Sequence, residues 1–223
     1  MQKTHKQDIL LCTGLFAAFA LWTAAVSFVD VRAIGPRGSS VGFGALNGYI
    51  HSLFGVNMTL YTVTDWLGLI PVTFMFGFAV LGLVQLIKRK SIARVDGDIL
   101  LLGAFYIILT AFYLLFEKYA VNYRPVLIDG FLEASYPSST TLLVLCVIPT
   151  AILQFRTRIK SRTLVTVTAA LLSVFAVFMT LGRLVSGVHW FTDIIGGALL
   201  SAALTSLYRL SVNAANRKKS NKE

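Results

Sequence analysis

Residues 164–193 read LVTVTAALLSVFAVFMTLGRLVSGVHWFTD. The opening stretch, Leu164–Leu181, holds no charged residue and, at about 1.5 Å per helical residue, nearly crosses a hydrocarbon core of about 30 Å. It lacks the apolar-polar alternation of a barrel strand, so it reads as a transmembrane helix. Three ionisable residues then follow in quick succession: Arg183, His189 and Asp193.

Similar runs recur on either side, at Ile9–Val29, Leu60–Ile87, Ile99–Phe116, Thr141–Phe155 and Phe191–Leu210. The run from Thr141 reaches spanning length only if Pro137-Ser138-Ser139-Thr140 forms its first turn. The expectation is an all-α integral membrane protein, a bundle of six transmembrane helices. Composition agrees, since 56% of the 223 residues are hydrophobic and 13% charged, against about 25% charged in soluble domains. Mean hydropathy is +0.74. Two Cys exclude a disulfide scaffold; Cys12 and Cys146, both inside spans, read as buried free thiols.

The basic residues set an orientation. Lys3 and Lys6 precede the first span, and Lys88, Arg89, Lys90 and Arg94 follow the second. Arg156, Arg158, Lys160 and Arg162 follow the fourth, and Arg209, Arg217, Lys218, Lys219 and Lys222 close the chain. With six spans all of these share one side, which the positive-inside rule makes the cytoplasm, with both termini there. The net charge of +10 is thereby topological, and no nucleic-acid partner is expected. A cleavable signal peptide is the competing reading of residues 1–29, and it leaves the later spans in the same orientation. The chain reads as one membrane-embedded domain, residues 1–223, in what its size and charge bias suggest is a bacterial plasma membrane.

Arg32, Arg37, Lys118, Arg124 and Arg183 remain on the outer side. Lys118 closes span three, Arg124 precedes Pro125, and Arg183 closes span five. Three cations meeting at one face call for a polyanion, and phosphate fits. Singly, each also reads as a snorkelling interfacial residue. His189 and Asp193, four apart, fall on one face if helical, so the carboxylate can hold the imidazole. Asp193 alone also suits a helix N-terminus. Ser138 and Ser139 begin span four, where hydroxyls and free amides make an anion site or a simple cap. No Asp, Glu, His or Cys cluster has metal-ligand spacing, so neither metal nor other cofactor is expected.

In order, these residues read Lys118-x5-Arg124-Pro125, Pro137-Ser138-Ser139-Thr140 and Arg183-x5-His189-x3-Asp193. The set resembles the type 2 phosphatidic acid phosphatase family, membrane relatives of the vanadium haloperoxidases. That family's pattern is K-x6-R-P, P-S-G-H and S-R-x5-H-x3-D on a six-span bundle with its site at the outer face. The resemblance covers roughly residues 99–210. It implies that His189 attacks phosphorus, forming a phosphohistidine, while Asp193 orients its ring. It further implies that Lys118, Arg124, Arg183, Ser138 and Ser139 hold the phosphoryl group, with a lipid phosphate as substrate.

Three departures stand out. The first motif is one residue short, Gly182 replaces the Ser before Arg183, and Ser139-Thr140 stands where the family has Gly-His. That His is the family's leaving-group acid. An alkoxide needs such a proton, having a pKa of about 15.7, and losing the donor costs a factor of about 10²–10⁴. A phosphate leaving group, with a last pKa of about 6, does not. The expectation is therefore an outward-facing, metal-independent lipid phosphatase favouring a polyprenyl diphosphate over phosphatidic acid or phosphatidylglycerophosphate. The alternative is a weakly or non-catalytic relative that binds or helps translocate lipid phosphates. His51 lies on Leu46–Phe54, which reads as a short interfacial amphipathic helix with the imidazole facing headgroups. Asp65, inside span two, is a site candidate by its cost there, or a partner for one of the cations.

Overall fold

The structure is a computed structural model that describes residues 2–220, with the side chains of residues 6–217. Lys222 lies outside the described residues, as do the side chains of Lys3, Lys218 and Lys219. Six stretches are long and apolar enough to cross a membrane: Lys6–Phe28, Met58–Arg89, Gly97–Lys118, Ser139–Arg158, Arg162–Val185 and Phe191–Arg217. They match the six expected runs, and no strand occurs among the described residues.

The helices are α1 (Gln2–Phe28), α2 (Gly44–Phe54), α3 (Met58–Leu67), α4 (Leu69–Arg89), α5 (Gly97–Lys118), α6 (Ser139–Arg158), α7 (Arg162–Val185) and α8 (Phe191–Ser220). Span two is thus two helices. The chain breaks at Gly68, whose amide bonds back to the carbonyls of Thr64 and Asp65. Span four starts at Ser139 with Ser138 as its cap, so the Pro137–Thr140 segment does supply its first turn.

Helices α6 and α8 form the centre of the bundle. More than half of each apolar window is buried by protein, 56% in both, against 6–28% for the other spans. Those others present Leu, Val, Ile and Phe outward, as a lipid environment allows. The core layers Leu102, Leu142, Cys146, Val147, Leu200 and Leu204 between α5, α6 and α8. Gly196 and Gly197 let α8 come close. A Cβ at Gly196 would lie 2.4 Å from the Tyr136 ring, and one at Gly197 3.1 Å from the Ser138 carbonyl. Cys12 and Cys146 are buried and unpaired.

The two ends of the bundle differ. At one, Asp96 meets Arg89 at 2.7 Å and Arg158 at 3.5 Å, and Arg158 meets Asp98 at 2.7 Å. Its hydrogen bond from Arg89 in particular holds the Asp96 carboxyl below the usual range. These pairs tie the α4–α5 connection to the end of α6. At the other end the connections 29–57, 119–138 and 186–190 pack together, and this end carries His189.

Candidate active site

The segment between α7 and α8 is set by a sharp turn at Gly187, whose φ is +67°. A Cβ there would lie 1.8 Å from the Gly55 carbonyl oxygen, so only glycine fits. His189 follows the turn, outside both helices. Asp193 is the third residue of α8 and accepts the Trp190 amide at 2.9 Å, half of a capping box. The approach of His189 Nδ1 to Asp193 Oδ2, 3.6 Å, therefore arises from a cap and not from the helical i, i+4 repeat expected of the sequence. Both residues are buried, His189 to 3% exposure and Asp193 fully.

Arg124 Nη1 donates to His189 Nε2 at 3.3 Å. A guanidinium cannot accept, so Nε2 is the bare nitrogen and the ring proton sits on Nδ1, toward Asp193. Burial first, then the charges of Arg124 and Arg183, push the imidazole well below its ordinary 6.5. The ring is neutral at neutral pH, with a lone pair on Nε2.

Arg183 is 1% exposed and lies 4.7 Å from the centroid of the Tyr61 ring, while Arg124 lies 5.9 Å from the same ring. Tyr61 is a face on which two like charges are held together. Each has a carboxylate as well: Glu133 Oε2 is 2.9 Å from Arg124 Nε, and Asp65 Oδ1 is 3.6 Å from Arg183 Nη1. Thr64 accepts from Arg183 at 3.4 Å. The repulsion that the sequence assigned to a bound polyanion is thus partly offset within the protein.

The other expected residues divide. Ser139 opens onto two adjoining cavities. One, of about 170 Å³, is bordered by Arg124, Glu133 and Glu117; the other, of about 320 Å³, by Asp65, Thr110 and Thr140. Ser138 is turned inward: its amide bonds the Asp193 carbonyl at 3.0 Å and its hydroxyl caps α6. Lys118 is not brought to the arginines. It is exposed, with its ammonium 5.4 Å from the Tyr119 ring centroid. Glu117, seven residues before Arg124, is the charged residue of this helix end that borders the same cavity as Arg124.

Other residues of the site carried no motif. Asn122, 1% exposed, donates to Asp193 Oδ1 at 3.3 Å and accepts from the Gly42 amide. Asn47 on α2 bonds the Gly42 carbonyl, the Thr192 hydroxyl and the Thr192 amide. His51, on the same face of α2, bonds the Gly187 carbonyl at 3.2 Å and packs on Trp190. This corrects the expectation that His51 faces headgroups, since the polar face of α2 is turned onto the segment that carries His189. Only the shared face of Asn47 and His51 hinted at it.

Residues 114–217 match the family model described as the PAP2 superfamily. No curated protein matches the chain. Among solved structures, a transmembrane PAP2 type phosphatidylglycerolphosphate phosphatase from Bacillus subtilis superposes with a TM-score of 0.63 at 18% identity. The match covers 90% of this chain and 94% of that one. The resemblance read from the motifs agrees with both findings: residues 114–217 match the PAP2 superfamily model, and the chain has the fold of a transmembrane PAP2-type phosphatase.

Proposed function

We propose that this protein is a lipid phosphatase that works through a phosphohistidine on His189. The observation that carries the reading is the buried neutral imidazole, with bare Nε2 against Arg124 and Nδ1 directed to a buried carboxylate. A pocket that only bound phosphate would gain nothing from an oriented nucleophile. Nε2 attacks phosphorus, and Asp193 stabilises the charge the ring acquires. Arg124 turns from Nε2 to a phosphoryl oxygen, and Arg183 takes another, giving fixed positive charge where the transition state needs it. Ser139 adds its hydroxyl and the amide of a helix start. Ser138 contributes by holding α6 to Asp193, and Lys118 meets the headgroup rim. Two arginines supply the charge a metal would otherwise bring, so the reaction runs without one.

With Thr140 in place of an acid, the preferred substrate is a lipid diphosphate such as polyprenyl diphosphate, whose lipid monophosphate leaves without a proton. The reading is completed by one domain over residues 1–223, its basic end in the cytoplasm with both termini, and its site on the outer side of a bacterial plasma membrane. The experiment is phosphate release by the purified protein, in EDTA, from polyprenyl diphosphate, phosphatidic acid and phosphatidylglycerophosphate, beside His189→Ala. The expected result is EDTA-resistant release, lost with His189→Ala and fastest from the diphosphate by a factor of about 10²–10⁴. Equal turnover of the monoesters would sink the leaving-group argument. Release that continues in His189→Ala would sink the phosphohistidine. A second reading, a weakly catalytic protein that binds or helps move lipid phosphates, is favoured by Thr140 and by arginines already paired to Asp65 and Glu133. It predicts binding without release.

A further inference from the structure

A phosphohistidine must be hydrolysed, and the water that does so needs a base even when the first leaving group needed no acid. Asp193 is taken by the Trp190 amide, Asn122 and the His189 ring. Glu133 is held directly on Arg124 at 2.9 Å, toward the smaller cavity. Asp65 is differently placed. It lies on α3 next to the break at Gly68, 3.6 Å from Arg183 Nη1, and its side chain is 59% exposed. It opens into the cavity of about 320 Å³ that Ser139 and Thr140 also line. A carboxylate inside a span is costly and is a site candidate by default, with its partner named; here the partner is Arg183. Thr64 already gives Arg183 a buried acceptor, so pairing alone leaves the position of Asp65 unexplained. A phosphoryl oxygen taken by Arg183 Nη1 shares that nitrogen with Asp65 Oδ1, which lies 3.6 Å from it.

We infer that Asp65 is the general base of the second half-reaction, an assignment that rests on the phosphohistidine reading above. The Asp65 carboxylate takes one proton from a water held between it and the phosphoryl group on His189. The water oxygen forms a bond to phosphorus, and the P–Nε2 bond breaks with its electron pair returning to the His189 ring. Orthophosphate leaves, and Asp65 releases its proton to solvent. The division of labour follows from the sequence departure. A lipid monophosphate leaves unaided in the first step, and Asp65 activates water in the second, so no histidine is needed at residue 140.

The test is rapid-quench turnover of polyprenyl diphosphate labelled in its terminal phosphate, with the full-length protein in detergent. In Asp65→Asn the first turnover is expected to persist, slowed far less than the steady state. Acid-labile label then accumulates on the protein to about one per chain, and steady-state release falls by about 10²–10³-fold. Asp65→Glu restores part of the release, and formate restores part of it to Asp65→Ala. A steady-state rate unchanged in Asp65→Asn overturns the assignment. So does a parallel loss of first turnover and steady state with no accumulated label, which would make Asp65 a support for Arg183 only. His189→Gln carries no label in any background. Wild-type protein that neither labels nor releases phosphate overturns the phosphatase reading itself, a result distinct from either outcome in Asp65→Asn.

Discussion

An arginine has no lone pair to offer, so its contact with Nε2 fixes the tautomer of His189 and leaves the attacking nitrogen bare. The same cation, with Arg183, disfavours protonation of that ring, adding to the larger effect of burial. The sign for activity follows. Because the folded-state value is depressed below 6.5, His189 stays neutral where an ordinary histidine would be charged. The acid limb of kcat/KM, which reports the free protein, is expected well below pH 6.5. Removing one cation in Arg124→Gln moves the limb of the residual activity to higher pH. A limb at the ordinary imidazole value in the wild type, or a downward move in the variant, would contradict the assignment. The unfolded chain binds this proton more readily than the folded one, so stability also declines as pH falls through 6.5. Arg183, His189 and Asp193 were legible in the sequence because their spacing is short and local. Asn122 and Glu133 were not, because an amide and a carboxylate in a loop carry no periodicity, and only folding sets them against Asp193 and Arg124.

At the level of elements, the site hangs on how α7 hands over to α8. Gly187 makes the turn, its carbonyl accepts His51 from α2, and the cap formed by Trp190 and Asp193 starts α8. Gly187→Ala meets both a positive φ and the Gly55 carbonyl. It is expected to cost roughly 1–3 kcal/mol, read as a lower thermal midpoint in detergent, with loss of phosphate release out of proportion to the folded fraction. A midpoint and activity both equal to wild type would show that the turn does not set the site. Sequence reading placed the spans well, since a long apolar run has one solution in a bilayer. It left open whether His189 belongs to a helix, because the four-residue spacing to Asp193 suits a helical face and a capping turn alike. It also turned α2 the wrong way. Its amphipathic pattern shows two faces, and only the position of Thr192 and Gly187 decides that the polar one points inward.

For the whole molecule, the charge bias makes a claim about sidedness. Ser40 lies on the connection at the His189 end, and Lys160 follows α6 at the basic end; both are exposed. The native Cys12 and Cys146 are buried, so single cysteines at 40 and 160 give a clean readout with a membrane-impermeant maleimide. Ser40→Cys is expected to label in intact cells, and Lys160→Cys only after permeabilisation. The reverse pattern would put the site on the cytoplasmic side. By itself, the sequence determined that this chain crosses a membrane six times as helices, and which ionisable residues are out of place there. Hydrophobic length and the cost of buried charge are local properties, readable one segment at a time. Only the tertiary structure decided that Arg124 and Arg183 share Tyr61 while Lys118 stays outside, and that Asp65 faces the cavity beside Thr140. Those relations join residues up to 122 positions apart, and they depend on how α3 packs against α7 and beside α6, which no single segment encodes.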